Sequence, residues 1–324
     1  MVYSQGTGEY APSWLALEQA LGGRMILKGS IEEIRAQYDG LIAVLIPLLP
    51  KPSENVVSEE GEVDGVKYRL YWPKGTKGEL PTGVWTHGGG FVTGDLNADD
   101  VLCRVVSEHT QSAIVNIDYR LAPEHKWPTQ LEDCMKVYRW AHKNAASFHG
   151  SPEKFYTIGG SAGGALALEI ALQVVRDPAL KASLKGIVAM VPLAVHPAHV
   201  PEPYREMYTA NQDNAVGTPV IDGESMAIFG SALGAEPTDE EAFVILATKD
   251  HKSFPPTYIT TCEFDPLRDD GFVLEKVLTE AGVPVKHDHY PGMPHYFWIM
   301  PQVPEGQEYV GKLLGGVEWV KGQM

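Results

Sequence analysis

Short apolar runs alternate with longer stretches in which apolar residues recur every three or four positions, and this rhythm holds over most of the chain. The runs Thr82–Thr86, Ala113–Asp118, Phe155–Ile158, Gly186–Leu193, Pro255–Cys262 and Val283–Tyr290 have the length and β-branched or aromatic content of buried strands. Between them, Leu131, Cys134, Tyr138 and Ala141 fall on one face of a helix. Asp270–Ala281 forms a second helix, stopped by Gly282, and Gln307–Val320 a third, packing through Val310, Leu313, Leu314, Val317 and Val320. Such alternation predicts an α/β protein with a mostly parallel central sheet and helices on both faces.

Three stretches depart from the rhythm. Val56–Pro73 reads as a β pattern with its turn at Val63-Asp64-Gly65-Val66 and a strand through Tyr68, Leu70 and Tyr71. Residues 1 to about 50 hold two helical patterns, Trp14–Leu21 and Ser30–Leu49; Ser30 followed by Glu32 and Glu33 resembles a helix start. From His196 to about Thr248 the segment is too long for a simple connection and carries Tyr204, Met207, Tyr208, Met226, Ile228 and Phe229. The two apolar segments, about 1–50 and about 196–248, are expected to form a helical cap on a single domain spanning 1–324.

After Phe155–Ile158 the chain runs through Gly159-Gly160-Ser161-Ala162-Gly163 into a helix on which Glu169, Gln173 and Arg176 form one wet stripe. A G-x-S-x-G turn at a strand-to-helix junction holds a serine in a strained conformation with Oγ exposed, while flanking glycines allow close approach of strand and helix. With 33 glycines in the chain, such a pattern arises by chance about 0.1 times, so its position at this junction is what gives it weight. His87-Gly88-Gly89-Gly90-Phe91 ends another strand and is rarer, at about 0.01 chance occurrences. Its glycines leave backbone N–H groups unobstructed, able to face a developing negative charge.

A serine nucleophile needs a base, and the base needs an orienting carboxylate; in this architecture they follow the serine in the order acid, histidine, on loops after later strands. Asp265, just beyond the strand ending at Cys262, and His295, just beyond the last strand, stand in those places. Glu263, Asp269 and Asp270 are rivals for the acid, although Asp269 and Asp270 also suit the first turn of a helix. His287 and His289 share one face of a strand and His196 and His199 lie in the apolar insertion. None has an evident third ligand, so no metal site is expected. His87 is expected to position the glycine run by hydrogen bonding.

Composition narrows the partners. The 324-residue chain is 44% hydrophobic and 21% charged, an ordinary globular balance able to bury a full core. A net charge of −16 without a basic cluster argues against nucleic acid and anionic membranes. The longest apolar run, Leu41–Pro50, is about half the length of a membrane span, so no stable membrane insertion is expected. Cys103, Cys134 and Cys262 are odd in number, widely spaced and in apolar surroundings, as reduced core cysteines are. No basic and then apolar leader follows Met1, and a cytoplasmic location is the default.

His87-Gly88-Gly89-Gly90-Phe91, Asp118-Tyr119-Arg120-Leu121-Ala122-Pro123-Glu124, Gly159-Gly160-Ser161-Ala162-Gly163-Gly164 and Asp265-Pro266-Leu267-Arg268-Asp269 together resemble the hormone-sensitive-lipase family of α/β-hydrolases over about residues 80–300. The chain also resembles, less specifically, esterases of fungal secondary metabolism. The resemblance implies a serine carboxylesterase acting on small to medium acyl esters, with Ser161 as nucleophile, His295 as base and Asp265 as orienting acid. It implies an oxyanion hole from the N–H groups of Gly88, Gly89, Gly90 and Ala162, a capped pocket and no cofactor. Phe91, Tyr208 and Phe297 are expected to touch substrate. Two departures stand out: Gly160 occupies a position where the family usually has Asp, and Tyr296-Phe297-Trp298 follows His295 where the family more often has Gly-Phe, adding aromatic bulk that is expected to narrow the pocket. An arylformamidase or a lactone or ester hydrolase of a biosynthetic pathway remains an alternative, as does a non-catalytic small-ligand receptor, against which the intact His295 weighs. A homo-oligomer is left open.

Overall fold

A computed structural model describes residues 8–324; the first residues of the expected N-terminal cap segment, 1–7, lie outside the described residues. Eight strands form one sheet in the order β1-β2-β4-β3-β5-β6-β7-β8. They are β1 (Val56–Val63), β2 (Val66–Pro73), β3 (Leu80–Thr86), β4 (Ala113–Asp118), β5 (Gly150–Gly160), β6 (Leu184–Met190), β7 (Thr257–Phe264) and β8 (Val285–Pro294). β1 and β2 make a hairpin whose two turn residues, Asp64 and Gly65, both have positive φ, 49° and 81°, as a tight two-residue hairpin turn requires. β2 pairs antiparallel with β4, and every later neighbour is parallel.

The helices are α1 (Pro12–Leu21), α2 (Ile31–Leu45), α3 (Asp100–Thr110), α4 (Thr129–Asn144), α5 (Ala162–Arg176), α6 (Ala210–Asp213), α7 (Gly223–Leu233), α8 (Arg268–Glu280) and α9 (Glu305–Lys321). Five of them, α4, α5 and α8 on one side and α3 and α9 on the other, pack on the sheet, as the strand residues show. Along β6, Ile187 and Ala189 join the hydrophobic cluster of α4, α5 and α8, while Val188 and Met190 join that of α3 and α9. This alternation follows from side chains pointing to opposite faces at successive strand positions. Both faces are covered, which is why the central strands carry almost continuous apolar runs. No described helix is long and apolar enough to cross a membrane.

The structure differs from the sequence reading in two elements. α3 was assigned no element, although Leu102, Cys103 and Val106 give it a buried face. The expected wet stripe on α5 is absent, because this helix packs against β5, β6 and α4 and is buried nearly all round. Glu169 is only 2% exposed, with its Oε2 unpaired, and burial pushes its carboxyl well above the usual range.

The N-terminal segment and the insertion between β6 and β7 are joined to each other. Leu27 N–H donates to Val220 O and Val220 N–H to Met25 O, at 2.9 and 2.8 Å, and the Ser225 hydroxyl donates to Leu27 O. In the N-terminal segment, α2 starts at Ser30 in a reciprocal capping box with Glu33. Arg35 of α2 reaches the body of the protein, donating to Val92 O, Ala122 O and both carboxylate oxygens of Glu124.

Candidate active site

Ser161 sits between β5 and α5 with φ 57° and ψ −120°, a conformation non-glycine residues rarely adopt. Its N–H is held by Met190 O at the end of β6, 2.8 Å away. The flanking glycines make the turn fit. A Cβ on Gly163 would overlap the carbonyls of Thr86 and His87, and one on Gly159 would overlap the Gly163 carbonyl. The Thr86 hydroxyl donates to Gly163 O at 2.7 Å, tying the ends of β3 and the turn together.

Adjacent strand ends place the acid and base. In the β7–β8 register Phe264 lies opposite Pro294, so the next residues, Asp265 and His295, emerge side by side. His295 Nδ1 and Asp265 Oδ2 are 2.6 Å apart, and the Leu267 N–H donates to Asp265 Oδ1 at 2.8 Å. Asp265 is fully buried and His295 3% exposed. The other carboxylates are committed elsewhere. Glu263 accepts the N–H groups of Gly8 and Gly292; Asp269 accepts those of Thr209 and Ala210; Asp270 accepts those of Ala194 and Val195 together with the Tyr208 hydroxyl. Asp269 and Asp270 do occupy the first turn of α8, and they also anchor the insertion to it. That second duty left no local signal in the sequence, since the bonded segments lie about 60 to 76 residues away.

The remaining histidines have local partners. His287 bonds Glu275 and Thr261, and His289 bonds Thr261; burial, followed by the charge of His287, lowers the pKa of His289 to about 4. His196 accepts the Ala198 N–H and borders the larger cavity described below, whereas His199 is exposed. His87 is fully buried, donates from Nδ1 to Gly88 O, and lies flat against Tyr119 at 4.2 Å. The Tyr119 hydroxyl donates to His87 O, and burial lowers the His87 pKa to about 4, keeping the ring neutral.

The glycine run turns at Gly89 and Gly90, with φ 117° and 61°. Gly89 O accepts from Val92 N–H, Thr93 N–H and the Thr93 hydroxyl, which fixes this peptide's orientation. The N–H groups of Gly89, Gly90 and Ala162 have no protein acceptor among the described residues. Gly88 differs, because its N–H interacts with the buried Asp99 carboxylate, which also accepts from Trp85 Nε1 at 3.0 Å. Desolvation nonetheless pushes the Asp99 carboxyl up to about 6.

Two cavities meet at Ser161. One of about 310 Å³ is bordered by Phe91, Tyr208, Asn211, Met226 and Phe243; the other, about 60 Å³, is bordered by Tyr38, Leu41, Asp99, His295 and Tyr296. Gly90, Ile221 and Phe229 border both. Phe91 and Tyr208 therefore face the site. Phe297 does not: it is fully buried against Tyr290, Trp298 and Tyr309, and Tyr296 borders the cavity in its place. The backbone at Tyr296 is left-handed, φ 59°, and Phe297 beyond it packs inward, contrary to its expected contact with substrate, while the Tyr296 ring does line the pocket.

Comparison with known proteins bears on this geometry. Residues 83–299 match a family described as having the alpha/beta hydrolase fold. The chain is 56% identical to a versiconal hemiacetal acetate esterase of Dothistroma septosporum over 98% of its own length and 97% of the relative's. It is 32% identical to a carboxylesterase of Mycobacterium tuberculosis over 85% and 84% of the two chains. Among solved structures, a vibralactone cyclase superposes with a TM-score of 0.89 at 28% identity, covering 99% of this chain and 98% of the other. The esterase of Pyrobaculum calidifontis does so with 0.81 at 28%, covering 97% and 98%. The chain thus belongs to the α/β-hydrolase family, in its hormone-sensitive-lipase-like esterase branch, and is a carboxylic ester hydrolase.

Proposed function

We propose that Ser161, His295 and Asp265 form the catalytic triad of an acyl-enzyme mechanism, under a cap made by the N-terminal segment and the insertion. The observation that carries the reading is the 2.6 Å contact of Asp265 with His295, whose ring borders the same small cavity as Ser161. Asp265 accepts a hydrogen bond from Nδ1–H of His295, which leaves Nε2 unprotonated and free to act as base. Ser161 Oγ then attacks the ester carbonyl carbon as Nε2 takes its proton. The tetrahedral oxyanion is met by the N–H groups of Gly89, Gly90 and Ala162, each donor contributing about 3 kcal/mol. His295 passes its proton to the departing alkoxide oxygen, and water, deprotonated by the same ring, releases the acid.

Unequal cavities at one serine suit an ester with one small and one large arm. Together with the 56% identity to a versiconal hemiacetal acetate esterase, this supports an acetate ester of a bulky aromatic alcohol as substrate. The likeness to a vibralactone cyclase favours a second reading, in which a hydroxyl of the substrate replaces water as acyl acceptor.

The test is hydrolysis of p-nitrophenyl acetate, butyrate and octanoate, an aryl acetate and an N-formyl aryl amide by wild type and Ser161→Ala, with product masses recorded. The reading requires a preference for the acetates and a loss of about 10⁴-fold or more in Ser161→Ala. Faster turnover of the formamide, or an active Ser161→Ala enzyme, sinks it; with a p-nitrophenyl hydroxyacyl ester added to the series, a lactone product selects the second acceptor.

A further inference from the structure

We propose that Tyr296 is a positioning residue: its phenol fills a slot left open by Gly88 and Gly160 and fixes the oxyanion loop, the nucleophile elbow and the histidine loop against one another. The proposal rests on the triad reading above for its effect on rate, though not for the slot itself.

A Cβ on Gly160 would lie 2.8 and 3.0 Å from Cζ and Cε2 of Tyr296, and one on Gly88 would lie 2.5 and 2.9 Å from its hydroxyl oxygen and Cζ. Carbon atoms in contact normally keep about 3.5 to 4 Å, so a side chain at either position and the phenol exclude each other. Neither glycine has positive φ. The backbone there would accept any residue, and at Gly160 the atoms nearest to an added Cβ all belong to Tyr296. Gly160 immediately precedes Ser161, Gly88 opens the oxyanion loop, and Tyr296 immediately follows His295. One ring therefore touches all three segments that have to be aligned for reaction.

The tyrosine is held there against local preference. Its left-handed backbone, φ 59° and ψ 23°, costs a non-glycine residue about 1 to 2 kcal/mol, and its hydroxyl is buried with no hydrogen-bond partner. What compensates is contact. The ring lies 4.5 Å from Trp298 and 5.2 Å from His295, centroid to centroid. A wedge acts through its shape, so the bulk of the ring matters and hydrogen bonding by its hydroxyl does not.

The experiment is a double-mutant cycle on the full chain with Gly160→Ala, Tyr296→Ala and the double variant, plus Tyr296→Phe and Ser161→Ala, reading kcat, KM and thermal unfolding. A displacement of under an ångström between reacting groups is costly, so Gly160→Ala is expected to lose about 100-fold in kcat and Tyr296→Ala about tenfold, each with KM within about threefold. The double variant is expected to recover about tenfold in kcat over Gly160→Ala and to melt higher than it. Tyr296→Phe is expected to stay within about threefold of wild type, since no hydrogen bond is lost.

Wild-type kcat in Gly160→Ala, a double variant no better than Gly160→Ala in either kcat or melting temperature, or a Tyr296→Phe enzyme as impaired as Tyr296→Ala overturns the proposal. If Gly160→Ala fails to fold, recovery of a cooperative melt in the double variant is the expected result and its failure the overturning one. Activity surviving in Ser161→Ala refutes the triad instead, and the coupling in melting temperature still reads the slot.

Discussion

The hydroxyl of Tyr208 donates to Asp270 Oδ2 at 2.8 Å, joining the insertion that borders the large cavity to the first turn of α8. The other carboxylate oxygen accepts the backbone N–H groups of Ala194 and Val195. One fully buried aspartate thus holds both the start of the insertion and the wall of the substrate cavity.

That aspartate makes stability depend on pH. Burial pushes its carboxyl up to about 7, outweighing the three hydrogen bonds that pull it down. Because the folded pKa lies above the unfolded one, the contribution is fully present below about pH 4 and is lost as pH rises through about 7. Asp270→Asn keeps an acceptor for the backbone and cannot ionise. The melting temperature of wild type relative to this variant is expected to fall between about pH 4 and 7, by the equivalent of a few kcal/mol. A difference independent of pH would show that folding does not shift the Asp270 carboxyl.

Phe229 borders both cavities at Ser161, with its ring where a Cβ on Gly90 would lie. Phe229→Ala should open the partition and raise kcat/KM for p-nitrophenyl octanoate relative to acetate by about tenfold, several methylenes being newly accommodated. An unchanged acetate-to-octanoate ratio would mean that chain length is selected elsewhere.

Gly163 and Gly311 offer a matched contrast. Both lie in helices, but a Cβ on Gly163 would overlap backbone carbonyls of β3 and the oxyanion loop, whereas one on Gly311 meets nothing within 4 Å. Gly163→Ala is expected to cost about 3 kcal/mol or more, because backbone atoms cannot step aside as side chains do. Gly311→Ala should gain up to about 1 kcal/mol from helix propensity. Calorimetric melting of both decides; equal shifts would contradict the close approach described at the elbow.

Much of the site was legible because it is local. The glycines around Ser161 and in His87–Gly90 are written at fixed spacing within one short segment, although what excludes a side chain at Gly163, Gly160, Gly88 and Gly90 is Thr86, His87, Tyr296 and Phe229, brought there by folding. The order of strands and helices was legible for a similar reason, since burial on two faces imposes its period on each segment separately. The hairpin turn at Asp64-Gly65 belongs to the same class.

Other features belong to pairs of segments far apart in the chain. Asp265 differs from Asp269 and Asp270 only in what it meets: the β7–β8 register sets it beside His295, while the other two meet backbone N–H groups of the insertion. Phe297, expected at the pocket, packs inward beyond the left-handed Tyr296, and Glu169 is buried on what its spacing marked as a wet face. By itself, the sequence determined the G-x-S-x-G turn, the glycine loop and the alternation of the sheet, where the pattern lies within one short segment. Only the tertiary structure decided which carboxylate meets His295, which ring faces the cavity and how the insertion is held, because burial and hydrogen-bond partners there come from chain brought into contact by folding.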